Sequence, residues 1–189
     1  MTELRTERLR LRRFRDDDAA AFVSLAGDLA VARMTSDIPH PLREADAGPW
    51  LRCEPGEVRF AIEYEGRLGG GAGYFMRPSG AAELGFWLGR HLWGVGIATE
   101  AAREVVRYGF THGGLEAFTS SRFIDNPASE RVLTKLGFQP IGEGLMWCTA
   151  RNTMVATIEY WLPRADRAAR TPAGQRRWRA LLGRVLGPQ

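Results

Sequence analysis

Ala82-Glu83-Leu84-Gly85-Phe86-Trp87-Leu88, followed at once by His91-Leu92-Trp93-Gly94-Val95-Gly96-Ile97-Ala98-Thr99-Glu100, is the stretch that decides how this chain folds. The first part has the composition of a strand. The second carries two glycines and leads into a helical segment, residues 99–106. A strand, a glycine loop and a helix start present a row of backbone N–H groups. The first N–H groups of a helix have no partner within it, and the helix dipole favours an anion there. Gly94 and Gly96 lack a Cβ, so a phosphate can approach the backbone closely. Taken alone, Gly-x-Gly before a helix is as readily a tight turn as a phosphate cradle.

The flanking pattern is mixed. Leu9 and Leu11 alternate with arginines, which predicts a first strand with one wet face. Asp16 is placed to cap a helix running to about Gly27, with Phe22, Val23 and Leu25 among its apolar residues. Residues 28–55 carry Pro39, Pro41 and Pro49, and predict one or two short helices joined by loops. Residues 58–64, 68–76 and 82–88 read as a meander, turning at Glu65-Gly66-Arg67 and Pro78-Ser79-Gly80. Gly69, Gly70, Gly71 and Gly73 mark a bulge or a close approach in its middle strand. Further strands are predicted over 115–123, from Gly137 onward and over 153–162, with a short helix over 126–136. Such a mixture implies a layered α/β (α+β) domain.

Composition fits one globular domain: 189 residues, 44% hydrophobic and 25% charged. The N-terminus lacks the apolar core of a signal peptide, and no apolar run is long enough to span a membrane, so the expected location is cytoplasmic. Cys53 and Cys148 are expected as free thiols, and the spacing of His40, His91 and His112 predicts no metal site. The net charge of +4 is carried almost wholly by arginine, crowded at the two ends. It suits either plain solubilisation or an anionic partner.

Two blocks resemble the GNAT acyltransferase superfamily, and within it the RimJ/RimL-type ribosomal-protein-alanine N-acetyltransferases. One is residues 82–88 running into Trp93-Gly94-Val95-Gly96-Ile97-Ala98-Thr99-Glu100-Ala101. The other is Asn126-Pro127-Ala128-Ser129-Glu130-Arg131-Val132-Leu133-Thr134-Lys135-Leu136-Gly137-Phe138. The opening residues 4–12 look like that branch's first strand. The resemblance implies a central twisted mixed sheet, flanked by helices and splayed between strands 82–88 and 115–123. It implies acyl-CoA in the splay, with pantetheine against Phe86, Trp87 and Leu88 and the pyrophosphate on the N–H groups of Trp93, Gly94, Val95, Gly96, Ile97 and Ala98. The family loop usually opens with Gln or Arg, and His91 stands there, so only the backbone contacts carry over. The domain is expected over residues 1–166.

The implied reaction moves an acetyl group from acetyl-CoA, or another acyl from its CoA thioester, to a primary amine by direct attack in a ternary complex. The acceptor is a protein N-terminus or a small amine. Amines are largely protonated at neutral pH, so a carboxylate must take a proton. Glu83 is the first candidate, with Glu143 and Glu159 in reserve; Glu83 can equally be a strand carboxylate held by an arginine. Many relatives protonate the leaving thiolate with a Tyr at the position of Leu133. In the RimJ/RimL-like branch an Asn and a Ser stand near the sulfur, and Asn126 and Ser129 match them. Asn126 is equally suited to cap the following helix. A backbone N–H near Trp87 or Leu88 is the expected carbonyl polariser. Tyr74, Trp50, Trp87, Trp147 and Tyr160 can line an acceptor pocket or fill the core, and His112 suits a helix end. Residues 167–189 read as a basic amphipathic tail that packs on its own domain or on a second copy in a homodimer. RNA, the ribosome or an anionic membrane surface is the less favoured partner. A non-catalytic acyl-CoA sensor and an RNA-associated protein remain as alternatives.

Overall fold

Alternation makes the opening residues a strand edge. Leu4, Leu9 and Leu11 are buried while Arg5 is exposed and Arg10 only half-buried, but Arg12 is buried, so the face expected to be wet is covered at its end by Asp18 and Glu63. The computed structural model describes residues 3–77 and 81–164. Among these, the strands are β1 (Leu4–Arg5), β2 (Leu9–Arg12), β3 (Glu57–Tyr64), β4 (Arg67–Met76), β5 (Ala82–Leu88), β6 (Ala117–Phe123), β7 (Gln139–Cys148) and β8 (Thr153–Pro163). They form one sheet in the order β1-β2-β3-β4-β5-β6-β8-β7. All neighbours are antiparallel except β5 and β6, which run parallel.

Helices cover both faces. The long α4 (Ile97–Thr111) follows β5 and closes the crossover to β6. Its buried residues Ile97, Ala101, Ala102, Val105, Val106 and Gly109 recur at helical spacing and pack on Leu84, Leu88 and Phe118. At Gly109 an added Cβ would lie 2.5 Å from the Phe118 ring, so the helix approaches the sheet as closely as only glycine permits. The second face carries α1 (Ala19–Ala26), α2 (Leu29–Ala32) and α3 (Gly48–Leu51), around Phe22, Ala61 and Leu68. Period-two alternation therefore divides β5. Ala82, Leu84, Phe86 and Leu88 join the α4 core, while Glu83, Gly85 and Trp87 face the α1 side.

Two expectations shift. The helix predicted from Asp16 starts as a turn of 3-10 helix at Asp16–Asp18 and becomes α1 only at Ala19. Asp18, not Asp16, holds the start: its carboxylate accepts the Arg15 N–H at 2.8 Å and both terminal nitrogens of Arg12 at 2.7 and 2.8 Å. Arg12 also donates to Glu63 at 2.6 Å, so a buried guanidinium ties β2 to β3 and to the first helix. The strand predicted from Leu115 begins at Ala117. Residues 28–55 contain α2, a 3-10 turn at Glu44–Asp46 and α3, as the prolines suggested. Cys53 and Cys148 are free thiols. The turn at 78–80 and the basic tail expected over 167–189 lie outside the described residues. No helix among those described is long and apolar enough to cross a membrane.

Candidate active site

The parallel ladder between β5 and β6 is two residues long, Ala82 with Phe118 and Glu83 with Thr119. Beyond it the strands part. Ser120 Oγ donates to Leu84 O at 3.0 Å across the vertex. From there to Leu88, the edge of β5 that faces β6 has no strand partner, while its other edge is fully paired with β4. Leu88 O accepts the Trp93 indole N–H at 2.9 Å; the remaining free backbone groups on such an edge are strong sites for an extended ligand that carries amides. The splay opens a cleft of about 920 Å³ that passes from one face of the sheet to the other. Phe86, Trp87 and Leu88 line it.

At one end the cleft reaches the glycine loop. Gly94 has φ +81°, and Gly96, the N-cap of α4, has φ +86° and ψ −3°. Both lie in the left-handed region that favours glycine. Among the described residues, the N–H groups of Gly94, Val95, Gly96 and Ile97 make no internal hydrogen bond. Around Gly94 the place of a Cβ is empty to 4 Å. Trp93, Gly94, Gly96, Ile97 and Ala98 line the cleft; Val95 does not, and its side chain is exposed. The loop is braced from behind. Arg8 donates to Val95 O at 3.0 Å and pairs with Glu100 at 2.7 Å, and Glu100 also accepts from Thr6 and from the Arg8 N–H. Burial raises the Glu100 carboxyl, but the Thr6 and Arg8 hydrogen bonds outweigh it and hold the group below its ordinary range. Arg8, one of the arginines crowded at the N-terminal end, thus fixes the loop.

Across from the loop, α5 (Pro127–Lys135) presents Ser129, Arg131 and Lys135 to the cleft. Arg131 and Lys135 are four residues apart on one helix face and have no ion-pair partner among the described residues. They are cations well placed for an anionic ligand, and sequence reasoning missed them, although the i,i+4 spacing after Asn-Pro was the available signal. Asn126 Oδ1 accepts the Ser129 N–H at 3.1 Å, so Asn126 caps α5, and it also lines the cleft. Leu133 is fully buried in the main core, which leaves no acid at that position.

At the vertex Glu83 is buried and lines the cleft. Arg77 pairs with its Oε2 through two nitrogens, and Ser121 Oγ donates to its Oε1 at 3.3 Å. Glu83 is therefore a cleft carboxylate that is also held by an arginine. Behind it stands Glu159, on β8 opposite Ser121. Burial pushes the Glu159 carboxyl up; the Thr157 hydroxyl, donating at 3.1 Å, works against this, and the charge of Glu83 adds to the rise. Glu143 is exposed on the sheet-edge strand β7 and does not line the cleft.

The α1 side of the cleft is walled by segment 33–37, which is docked on the end of β7. Thr149 N–H donates to Ser36 O at 2.8 Å, Arg151 to Arg33 O at 2.7 Å, and the buried Cys148 thiol to Thr35 O at 3.3 Å. Trp50, Trp87 and Trp147 line this half, and Tyr74 lines the cleft from β4. Tyr160 is core, its hydroxyl accepting from Arg122 at 3.1 Å. His112 caps the end of α4, stacked on Tyr108.

Residues 8–139 match the family described as the acetyltransferase (GNAT) domain. The chain belongs to the GNAT acetyltransferase family. A relative from Bacillus licheniformis, described as the uncharacterized N-acetyltransferase p20, is 31% identical over 155 residues, 77% of this chain and 86% of its own length. Among solved structures, a GNAT-family acetyltransferase from Bacillus anthracis superposes with a TM-score of 0.75 at 22% identity, covering 86% of this chain and 98% of that one. RimL, a ribosomal L7/L12 alpha-N-protein acetyltransferase in complex with coenzyme A, superposes with a TM-score of 0.73 at 16% identity, covering 86% and 98%. At such identities the likeness is one of fold. The splayed mixed sheet is thus the GNAT architecture, and this GNAT chain is an acyltransferase.

Proposed function

We propose that the protein transfers the acetyl group of acetyl-CoA to a primary amine, with both substrates bound together. The observation that carries this reading is the unpaired edge of β5, which leads from Glu83 to the free amides of Gly94, Val95, Gly96 and Ile97. Pantetheine is a chain of amides, and a strand edge complements it. A diphosphate needs convergent N–H donors and tolerates no Cβ at close range, and the loop at Gly94 offers both. The solved coenzyme A complex of RimL, with the same fold, supports the choice of ligand.

In this reading the amine nitrogen attacks the thioester carbonyl carbon. The carbonyl oxygen takes up negative charge and accepts a hydrogen bond from a backbone N–H near Trp87 or Leu88. The C–S bond then breaks and the sulfur leaves as a thiolate. Glu83, directly or through water, takes the proton that the amine must lose. Arg77 competes for the same carboxylate, so the incoming ammonium shares Glu83 with it or displaces it. Ser129 hydrogen-bonds the thiolate, with Asn126 beside it; a mildly basic thiolate needs no strong acid. The acceptor is a protein N-terminus or a small amine.

Thiol release from acetyl-CoA over a panel of primary amines tests the proposal. Glu83→Gln should slow transfer by about a hundredfold or more, while acetyl-CoA affinity stays unchanged. An unchanged rate at every pH removes Glu83 from the mechanism, and absence of turnover with any amine by the wild-type protein overturns the reading.

A further inference from the structure

We propose that the acceptor subsite is built for a monoamine carried on a flat apolar body, rather than for a polyamine or other polycation. This rests on the acetyl-transfer reading above. The floor of the subsite is Gly85, on the same face of β5 as Glu83 and Trp87 and between them. It is exposed although its strand is central, and a Cβ built there meets nothing within 4 Å. To one side lies Glu83 with Arg77 and Ser121. To the other stand Phe14, Trp50 and Trp87, partly buried rings that line the cleft and are held in place by the fully buried Phe22 behind them. Phe22 meets Trp87 edge-on at 5.4 Å and 85°, stacks with Trp50 at 6.1 Å and 28°, and meets Phe14 edge-on at 6.2 Å. Gly71, on the neighbouring strand, makes room for the Trp87 indole: a Cβ there would lie 2.6 Å from its Nε1. An aromatic enclosure of this kind selects flat apolar groups.

Charge points the same way. A polycation needs several carboxylates with no other partner. Of the carboxylates lining the cleft, Glu57 is bound by Arg59 at 2.8 Å, Asp125 by Arg151 at 2.8 Å and Glu83 by Arg77. Asp37, which is exposed and accepts from Ser36 at 3.4 Å, is the one without an arginine among the described residues. One ammonium can share Glu83 with Arg77, as in the acetyl-transfer reading, and a second would find only the exposed Asp37, so the subsite suits a single ammonium and offers apolar surface for what it is attached to.

The test compares 2-phenylethylamine, n-butylamine and spermidine as acceptors for the full-length protein with saturating acetyl-CoA, and titrates acetyl-CoA separately. The expected order of kcat/KM places 2-phenylethylamine about tenfold or more above n-butylamine, with spermidine lowest. Trp50→Ala should cut the phenyl-over-butyl preference by about tenfold with the acetyl-CoA Kd unchanged, and Trp50→Phe should restore most of it. Spermidine equal to or better than 2-phenylethylamine overturns the inference. So does a phenyl-over-butyl ratio that Trp50→Ala leaves unaltered, or acetyl-CoA binding without turnover of 2-phenylethylamine. Failure to bind acetyl-CoA at all is a different result: it defeats the underlying acetyl-transfer reading and this inference with it.

Discussion

Replacing Gly96 by alanine isolates the contribution of the loop backbone. Gly96 has φ +86° and ψ −3°, a conformation that costs an L-residue about 1–2 kcal/mol relative to glycine. Space adds nothing to this, since the nearest atom to the new Cβ would be Arg8 Nη2, at an ordinary 3.4 Å. The whole penalty is therefore conformational. Where it appears depends on whether the loop is held in the free protein. Arg8, bonded to Val95 O and to Glu100, holds it. The penalty should then fall on folding: a drop in melting temperature of about 3–6 °C for a domain of this size, with the acetyl-CoA Kd changed by less than about threefold. In an Arg8→Ala background the free loop can relax, so the same glycine substitution should move less of its cost to the melting temperature and more to Kd. Gly142→Ala is the control, because its Cβ would meet nothing within 4 Å and its backbone is unstrained. Scanning calorimetry and isothermal titration with acetyl-CoA read the two quantities. If Gly96→Ala alters neither melting temperature nor Kd, the left-handed cap is not what shapes the cradle.

Three further outcomes are expected. Asp18→Asn leaves the buried Arg12 with Glu63 alone as its charge partner and should cost about 1–3 kcal/mol in urea unfolding. Burial pushes the Asp18 carboxyl up, but the Arg12 and Arg15 hydrogen bonds outweigh it and hold it low; Glu63 is lowered by Arg12. Both therefore add stability that is present above the ordinary carboxylate range, about pH 4, and lost as pH falls through their folded values. Acid unfolding of Asp18→Asn should show a shallower loss there. Glu159 is the opposite case. Burial raises it, so its contribution is complete below about pH 4 and declines as pH rises through the folded value. Glu159→Gln should therefore be more stable than wild type at mildly alkaline pH, with the difference vanishing in acid; a pH-independent difference contradicts this. Gly85→Val fills the open floor beside Glu83 and should abolish amine turnover while acetyl-CoA still binds, as thermal shift with the thioester will report.

Local pattern carried much of the architecture. Leu9 and Leu11 between arginines, the meander of residues 58–88 and the stripe of α4 are all periodic features, and periodicity survives tertiary packing. The glycine loop was legible for the same reason: its chemistry is backbone chemistry. What escaped was set by contacts between distant residues. Asp16, Asp17 and Asp18 are equivalent as letters; only the approach of Arg12 makes Asp18 the one that holds the turn. Arg8 and Glu100 are far apart in sequence and meet because β2 lies beside the start of α4. The arginine that binds Glu83 proved to be Arg77, at the far end of the preceding hairpin strand. The aromatic wall depends on Trp50, which comes from a proline-broken segment whose path no period encodes. Asn126 was readable as a cap and as a cleft residue at once, and the structure shows it in both positions.

Amide NMR of the intact protein titrated with acetyl-CoA tests the central claim most directly. Large, saturable shifts centred on the N–H resonances of Gly94, Val95, Gly96 and Ile97, with those of Phe86 to Leu88 following, are the expected result. Resonances of the loop that stay in place while acetyl-CoA binds elsewhere, or does not bind at all, contradict it.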